Sequence, residues 1–176
     1  MRYLIMVALL LAISPILHGA EISVGLDRCV ILNDVNNQTA ESMAAIYFDI
    51  PDSLFGKEII YSEIEFPFAI HGMNDSSLFE FKMFPATAEW SEQTIVYDQA
   101  AELADSLMTA AYTIRLTDLS EFHIDISNFV SEVVNGEKDN NGLIVLADLL
   151  GDDNLRLPPN IGNAVRNTAT VRIVYK

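Results

Sequence analysis

Basic residues are scarce in this chain: 10 Lys+Arg stand against 25 Asp+Glu, a formal net charge of −15. That balance excludes nucleic acid as a partner, because binding phosphates needs clustered Lys and Arg. It also disfavours anionic lipid headgroups and polyanionic sugars unless a cation bridges them. Cysteine is scarcer still. Cys29 stands alone, so there is no internal disulfide and no Cys/His zinc spacing. A lone thiol in an oxidising compartment is either buried and inert or pairs between molecules, and the apolar neighbours Val30, Ile31 and Leu32 point to burial. Of three histidines, only His71 and His123 lie beyond the N-terminal twenty residues. His123 and Asp125, two apart on one strand face, could orient an imidazole. No serine or cysteine in a nucleophile motif accompanies them, so His123 reads as a solvated strand histidine. There is no phosphate-binding loop and no dinucleotide fingerprint. Carboxylate pairs such as Glu63/Glu65 and Glu89/Glu92 follow from an acidic composition and do not mark a glycosidase. The expectation is a non-catalytic protein.

Long apolar runs are missing everywhere except at the start, MRYLIMVALLLAISPILHGA. Arg2 precedes an apolar stretch from Tyr3 to Ile13, followed by Pro15 and the small residues Gly19 and Ala20. This is the layout of a secretory signal peptide over residues 1–20, and the run is short for a membrane span. Its alternative is an uncleaved anchor. Removing it leaves 156 residues with 9 basic and 25 acidic side chains, enough for one domain with one core over 21–176 and with no membrane span. The expected address is outside the cytoplasm: secreted, periplasmic or on the cell surface.

The remaining chain alternates. Ile22, Val24 and Leu26 share one side of a first strand, and Ile46, Phe48 and Ile50 one side of another. From Glu58 to Ile70 the run is longest, with Ile60, Ser62, Ile64, Phe66, Phe68 and Ile70 on one face and Tyr61, Glu63 and Glu65 on the other. Pro67 places that end at an edge or bulge. Leu78–Phe84 leads into MFPATAEWSEQTIVYD (83–98), with the single tryptophan, Trp90, followed by a β-branched strand at Thr94–Tyr97. Trp90 reads as the anchor of a β core, with a ligand-stacking platform as the alternative. Gln99–Ala111 has helical spacing and reads as a short amphipathic helix or a compact loop. Tyr112–Leu116 and Phe122–Ile126 are strands. Ser127 is placed to cap a helix at Asn128–Asn135 that Gly136 ends. GLIVLA (142–147) is a central strand covered on both faces, Asp148–Asn167 a long loop, and Thr168–Tyr175 the closing strand. Roughly eight to ten short strands with one or two short helices predict an all-β, jelly-roll-like antiparallel β-sandwich.

Four stretches in this order resemble a known family. AAIYFDIPDSLFGKEIIYSEIEF (44–66) is similar to its strand–Pro–strand opening. FEFKMFPATAEWSEQTIVY (79–97) is similar to its W-x-E-x-T-V signature, and FHIDISNFVSEVVNGEKDNNGLIVL (122–146) to its strand-to-helix segment. TATVRIVYK (168–176) resembles its closing strand. The family is the DNRLRE-type jelly-roll domain, related to carbohydrate-binding modules of extracellular proteins. The resemblance implies a jelly roll and a carbohydrate-binding or cell-surface adhesion role with a polysaccharide or another surface protein as partner. The second function class is a structural or assembly protein of the cell surface or matrix.

Two sets of side chains could serve such roles. Sugar recognition uses exposed aromatics beside acid or amide groups: Tyr61 with Glu63 and Glu65 comes first, and Tyr47 on its own strand second. Calcium takes six to eight oxygen ligands from irregular loops, and Asp148, Asp152, Asp153 and Asn154 offer four oxygen-bearing side chains within seven residues. A carbohydrate site predicts an exposed aromatic strip on one sheet. An assembly protein predicts an apolar patch or an open sheet edge.

Overall fold

The computed structural model describes residues 19–33, 42–66, 78–115, 122–150 and 161–176. Among the described residues nine strands form two antiparallel sheets packed face to face. One sheet has the order β1 (Ala20–Gly25), β9 (Thr170–Tyr175), β4 (Ile59–Phe66), β7 (Phe122–Asp125). The other runs β2 (Arg28–Asn33), β3 (Ser42–Tyr47), β8 (Leu143–Leu150), β5 (Leu78–Pro85), β6 (Ala110–Arg115). The chain passes back and forth between the sheets, as expected for a jelly roll with an extra strand, β3, paired to β2. Three short helices accompany them: α1 (Tyr97–Leu103), α2 (Ser127–Val134) and α3 (Ile161–Thr168). Among the described residues no helix is long and apolar enough to cross a membrane.

Alternation accounts for the main core. Ile46, Phe48, Ile64, Met83, Ile124, Leu143, Val171 and Ile173 project between the sheets and are essentially inaccessible. Helix α2 closes one end with Phe129, Val130, Val133 and Val134, the stripe seen in the sequence. Each such side chain contributes about 1.5–3 kcal/mol by leaving water. Gly136, at φ 73°, ends the helix as its position predicts.

A second apolar cluster lies on the outer face of the five-stranded sheet, where Met43, Ala45 and Ile144 meet Ala86, Trp90, Ile95 and Ala100. Residues 85–104 thus form a cover, which buries the Leu143–Val145 end of β8 on both faces. Gly142, at φ 83°, feeds that strand, and a Cβ there would collide with the Ile46 carbonyl.

The structure departs from the sequence expectation at four places. The pairing of β4 with β9 shifts between Ile59 and Tyr61. Ile60 sits in that irregularity and is exposed, while Ile59 packs on the core in its stead. Thr94–Tyr97 is no strand. The amides of Thr94 and Ile95 both reach the Ser91 carbonyl in a turn, and Tyr97 opens α1. Ile95 is buried by that turn, so tertiary burial overrides the local β preference. Ser127 begins α2 and does not cap it. Asp125 Oδ1 accepts from the Ser127 amide at 2.8 Å and from its hydroxyl at 2.6 Å. Asp148–Asn167 is not one loop, because β8 continues to Leu150 and α3 starts at Ile161. The early part of the long alternating run, from Ile59 to Phe66, lies in β4 as predicted, whereas Pro67, Phe68 and Ile70 lie outside the described residues, as do residues 1–18 and His71.

Candidate binding site

The outer face of the four-stranded sheet is polar, and its centre is Glu63. Its side chain is only 7% exposed although it points away from the core. Register explains this: Glu63 lies between Asp125 of β7 and Arg172 of β9, with Glu65 next to His123 and Thr170. Tyr61 donates its hydroxyl to Glu63 Oε2 at 2.7 Å, and His123 Nδ1 approaches the same oxygen at 3.2 Å. Arg172 Nη1 donates to Glu63 Oε1 at 3.1 Å. The rest of that guanidinium forms a fork on Glu21 of β1, Nε to Oε1 at 2.9 Å and Nη2 to Oε2 at 3.0 Å. One arginine therefore ties three strands together.

The protonation states follow. Burial pushes the Glu63 carboxyl up, but hydrogen bonds from Tyr61 and Arg172 and the charges of His123 and Arg172 outweigh it, so the group sits below the usual carboxylate range. Hydrogen bonding to that carboxylate, with some burial, pushes the Tyr61 phenol up to about 12. Tyr61 is thus a neutral, fixed ring at neutral pH.

A cleft of about 380 Å³ opens beside this network, between the terminal strands β6 and β7, one from each sheet. Tyr61, His123 and Asp125 form one wall, and Thr109 to Tyr112 form the other. Ser127 and Asn128 at the start of α2 close an end. Phe122 stacks on Phe66 at 4.8 Å, Phe81 at 5.4 Å and Tyr112 at 6.4 Å, joining the sheets beneath the cleft. Tyr112 stays 41% exposed, and Leu107 and Met108, just before β6, are 72% and 48% exposed.

The residues singled out from the sequence separate. Tyr61 and Glu63 belong to the cleft and its supporting network, and Glu65 lies one register step along, within 3.5 Å of the Thr170 hydroxyl. Tyr61 is half-buried, less open than the sequence suggests. Tyr47 stands on the outer face of the other sheet, half-buried under the Arg28 guanidinium 4.0 Å from its ring centroid. The two tyrosines are on opposite sides of the sandwich and cannot share a ligand. Trp90 is 7% exposed. Its indole donates to the Asn141 carbonyl at 2.9 Å, with Arg28 stacked 4.7 Å from its ring and donating to the Trp90 carbonyl. Trp90 is therefore a core anchor in the second cluster. Asp148 falls on β8, opposite Glu80. Asp152, Asp153 and Asn154 lie outside the described residues. Among the described residues no cluster of His, Cys, Asp and Glu is arranged to hold a metal.

Sequence reasoning missed Tyr112, Asn128 and the contribution of Arg172. From the sequence Tyr112 reads only as the first residue of a strand, and nothing local marks β6 as a terminal strand. Compared with known protein families the chain matches no family model, and compared with curated proteins it matches none significantly.

Proposed function

We propose that this chain is an exported, non-catalytic β-sandwich module that works by adhesion or assembly at the cell surface, with the β6–β7 cleft as its contact site. The observation that carries this reading is the open strand edge of β6, flanked by exposed Leu107, Met108 and Tyr112. Exposed apolar side chains grouped beside an unpaired strand edge are the features of an interaction surface. The side chains around the cleft support a binding role over a reacting one. Glu63 is held as a carboxylate by hydrogen bonds from Tyr61 and Arg172, Tyr61 stays protonated, and the Ser127 hydroxyl reaches Asp125 with no imidazole between. The DNRLRE resemblance belongs to the same reading of a surface module.

A carbohydrate ligand is the second reading, and one observation favours it. Tyr61 and Tyr112 share the cleft with His123, Asp125 and Asn128, which puts two rings among groups able to bond hydroxyls. The aromatic strip such a site would use is absent among the described residues, since Tyr47 is on the other side.

The test is retention of the purified exported protein on cells that lack it. Assembly through the cleft predicts retention that Ala111→Glu abolishes and soluble neutral oligosaccharides leave unchanged. Competition by an oligosaccharide selects the carbohydrate reading. Retention by neither route contradicts a surface role.

A further inference from the structure

The two sheet edges that flank the larger sheet are treated differently. At β2, the Glu92 carboxylate accepts the outward Cys29 amide at 3.0 Å. Helix α3 lies along the same strand, with Gly162 against the Cys29 carbonyl and Arg166 within 3.4 Å of Glu92. That edge is occupied. At β6, the other terminal strand, the stretch Thr109–Thr113 carries no charge, no proline and no bulge, the strand's one charged residue being Arg115 at its end, and among the described residues β6 pairs only with β5. Natural edge strands are normally blunted by one of those devices. The open side of β6 is also the wall of the cleft.

We propose that this edge takes an extended polypeptide segment as an added strand, and that the segment carries a Lys or Arg directed at Asp125. The proposal rests on the cleft being the contact site and names its occupant. A strand laid along β6 alternates its side chains: one set lies over the outer face beside Ala111 and Thr113, which are small, and the other points into the cleft. There it meets Tyr61, Tyr112 and Asp125. Asp125 is exposed and is the sole carboxylate lining the cleft, whose described lining includes no Lys or Arg. The pocket therefore complements a cation and opposes an anion. Charge also decides between a foreign strand and a second copy of this chain. Two copies each carrying −15 repel. A basic partner strand is attracted to the acidic chain and meets Asp125 with a cation.

The experiment is an amide-resolved NMR titration of the exported protein with a short Thr/Val peptide bearing one central Lys. Two further probes are the same peptide with Glu for Lys, and the Lys peptide N-methylated on its edge-facing amides. The proposal predicts shifts centred on Ala110–Thr113 with the Lys peptide, binding at least about tenfold weaker with Glu, and none with the N-methylated probe. Added salt narrows the Lys/Glu difference. Asp125→Asn, which keeps an oxygen to accept the Ser127 amide, abolishes the preference without abolishing binding. Equal binding of the N-methylated probe, equal binding of Glu and Lys probes, or no shift on β6 at about 1 mM Lys peptide overturns the proposal. Shifts of the same amides by a neutral oligosaccharide alone would replace the peptide by a glycan and leave the cleft as contact site. Cell retention indifferent to Ala111→Glu would remove the contact site itself.

Discussion

Two residues carry the clearest single-site consequences. Trp90 fills the second cluster while its indole N–H is satisfied by Asn141. Trp90→Ala should lower stability by ~3–5 kcal/mol, because a large cavity and an orphaned carbonyl appear together. Equilibrium denaturant unfolding checks this, and an unchanged midpoint would mean the indole is dispensable. Glu63 gives a pH signature. Its carboxyl sits below the ordinary value of 4.5, so its stabilisation is fully present above that value and is lost as pH falls through the depressed folded value. Glu63→Gln should therefore be less stable than wild type at neutral pH and should lose less stability on acidification below about pH 4.5. Parallel stability curves across that range would show the network contributes nothing.

Among the elements, β8 depends on the turn that feeds it. Gly142→Ala forces a side chain into the left-handed region and against the Ile46 carbonyl. A loss of about 1–3 kcal/mol is expected, whereas Gly25→Ala, with open space around its added methyl, should be near neutral. Thermal or chemical melts of the pair provide the comparison. The same contrast explains what was legible in the sequence. Strands with one buried face write period two into their side chains, so β4 from Ser62 onward, β5, β7 and β9 can be read directly, as can the apolar stripe of α2. Turn and helix at Thr94–Leu103 could not, because Thr94, Ile95 and Val96 have strand-like side chains and only the cover over Ala45 and Ile144 makes them useful elsewhere. Helix α3 has little apolar surface, with Val165 as its buried contact among the described residues, so its pattern is weak. The Glu63 network was half visible: Tyr61, Glu63, His123 and Asp125 are close in sequence in pairs, but Arg172 arrives through β9, more than a hundred residues away.

At the scale of the whole molecule, the described residues guard the edge at β2 and leave the one at β6 open. The oxygen-bearing residues Asp148, Asp152, Asp153 and Asn154, candidate calcium ligands, give a separate test. If they bind it, millimolar calcium should raise the thermal midpoint above that in EDTA, and Asp152→Ala/Asp153→Ala should cancel the increment, since a ligand that binds only the folded state stabilises it. Equal shifts with magnesium and calcium, or no shift, would leave the segment a solvated acidic connection. The central claim is that β6 is an unpaired edge awaiting a strand, and amide hydrogen exchange of the isolated protein addresses it most directly. The account predicts that edge amides within Ala110–Thr113 exchange much faster than the Cys29 amide held by Glu92, and become protected when the protein is bound at the cell surface. If in the isolated protein every amide of Ala110–Thr113 is already as protected as those of the central strand β8, the edge is covered and the account is contradicted.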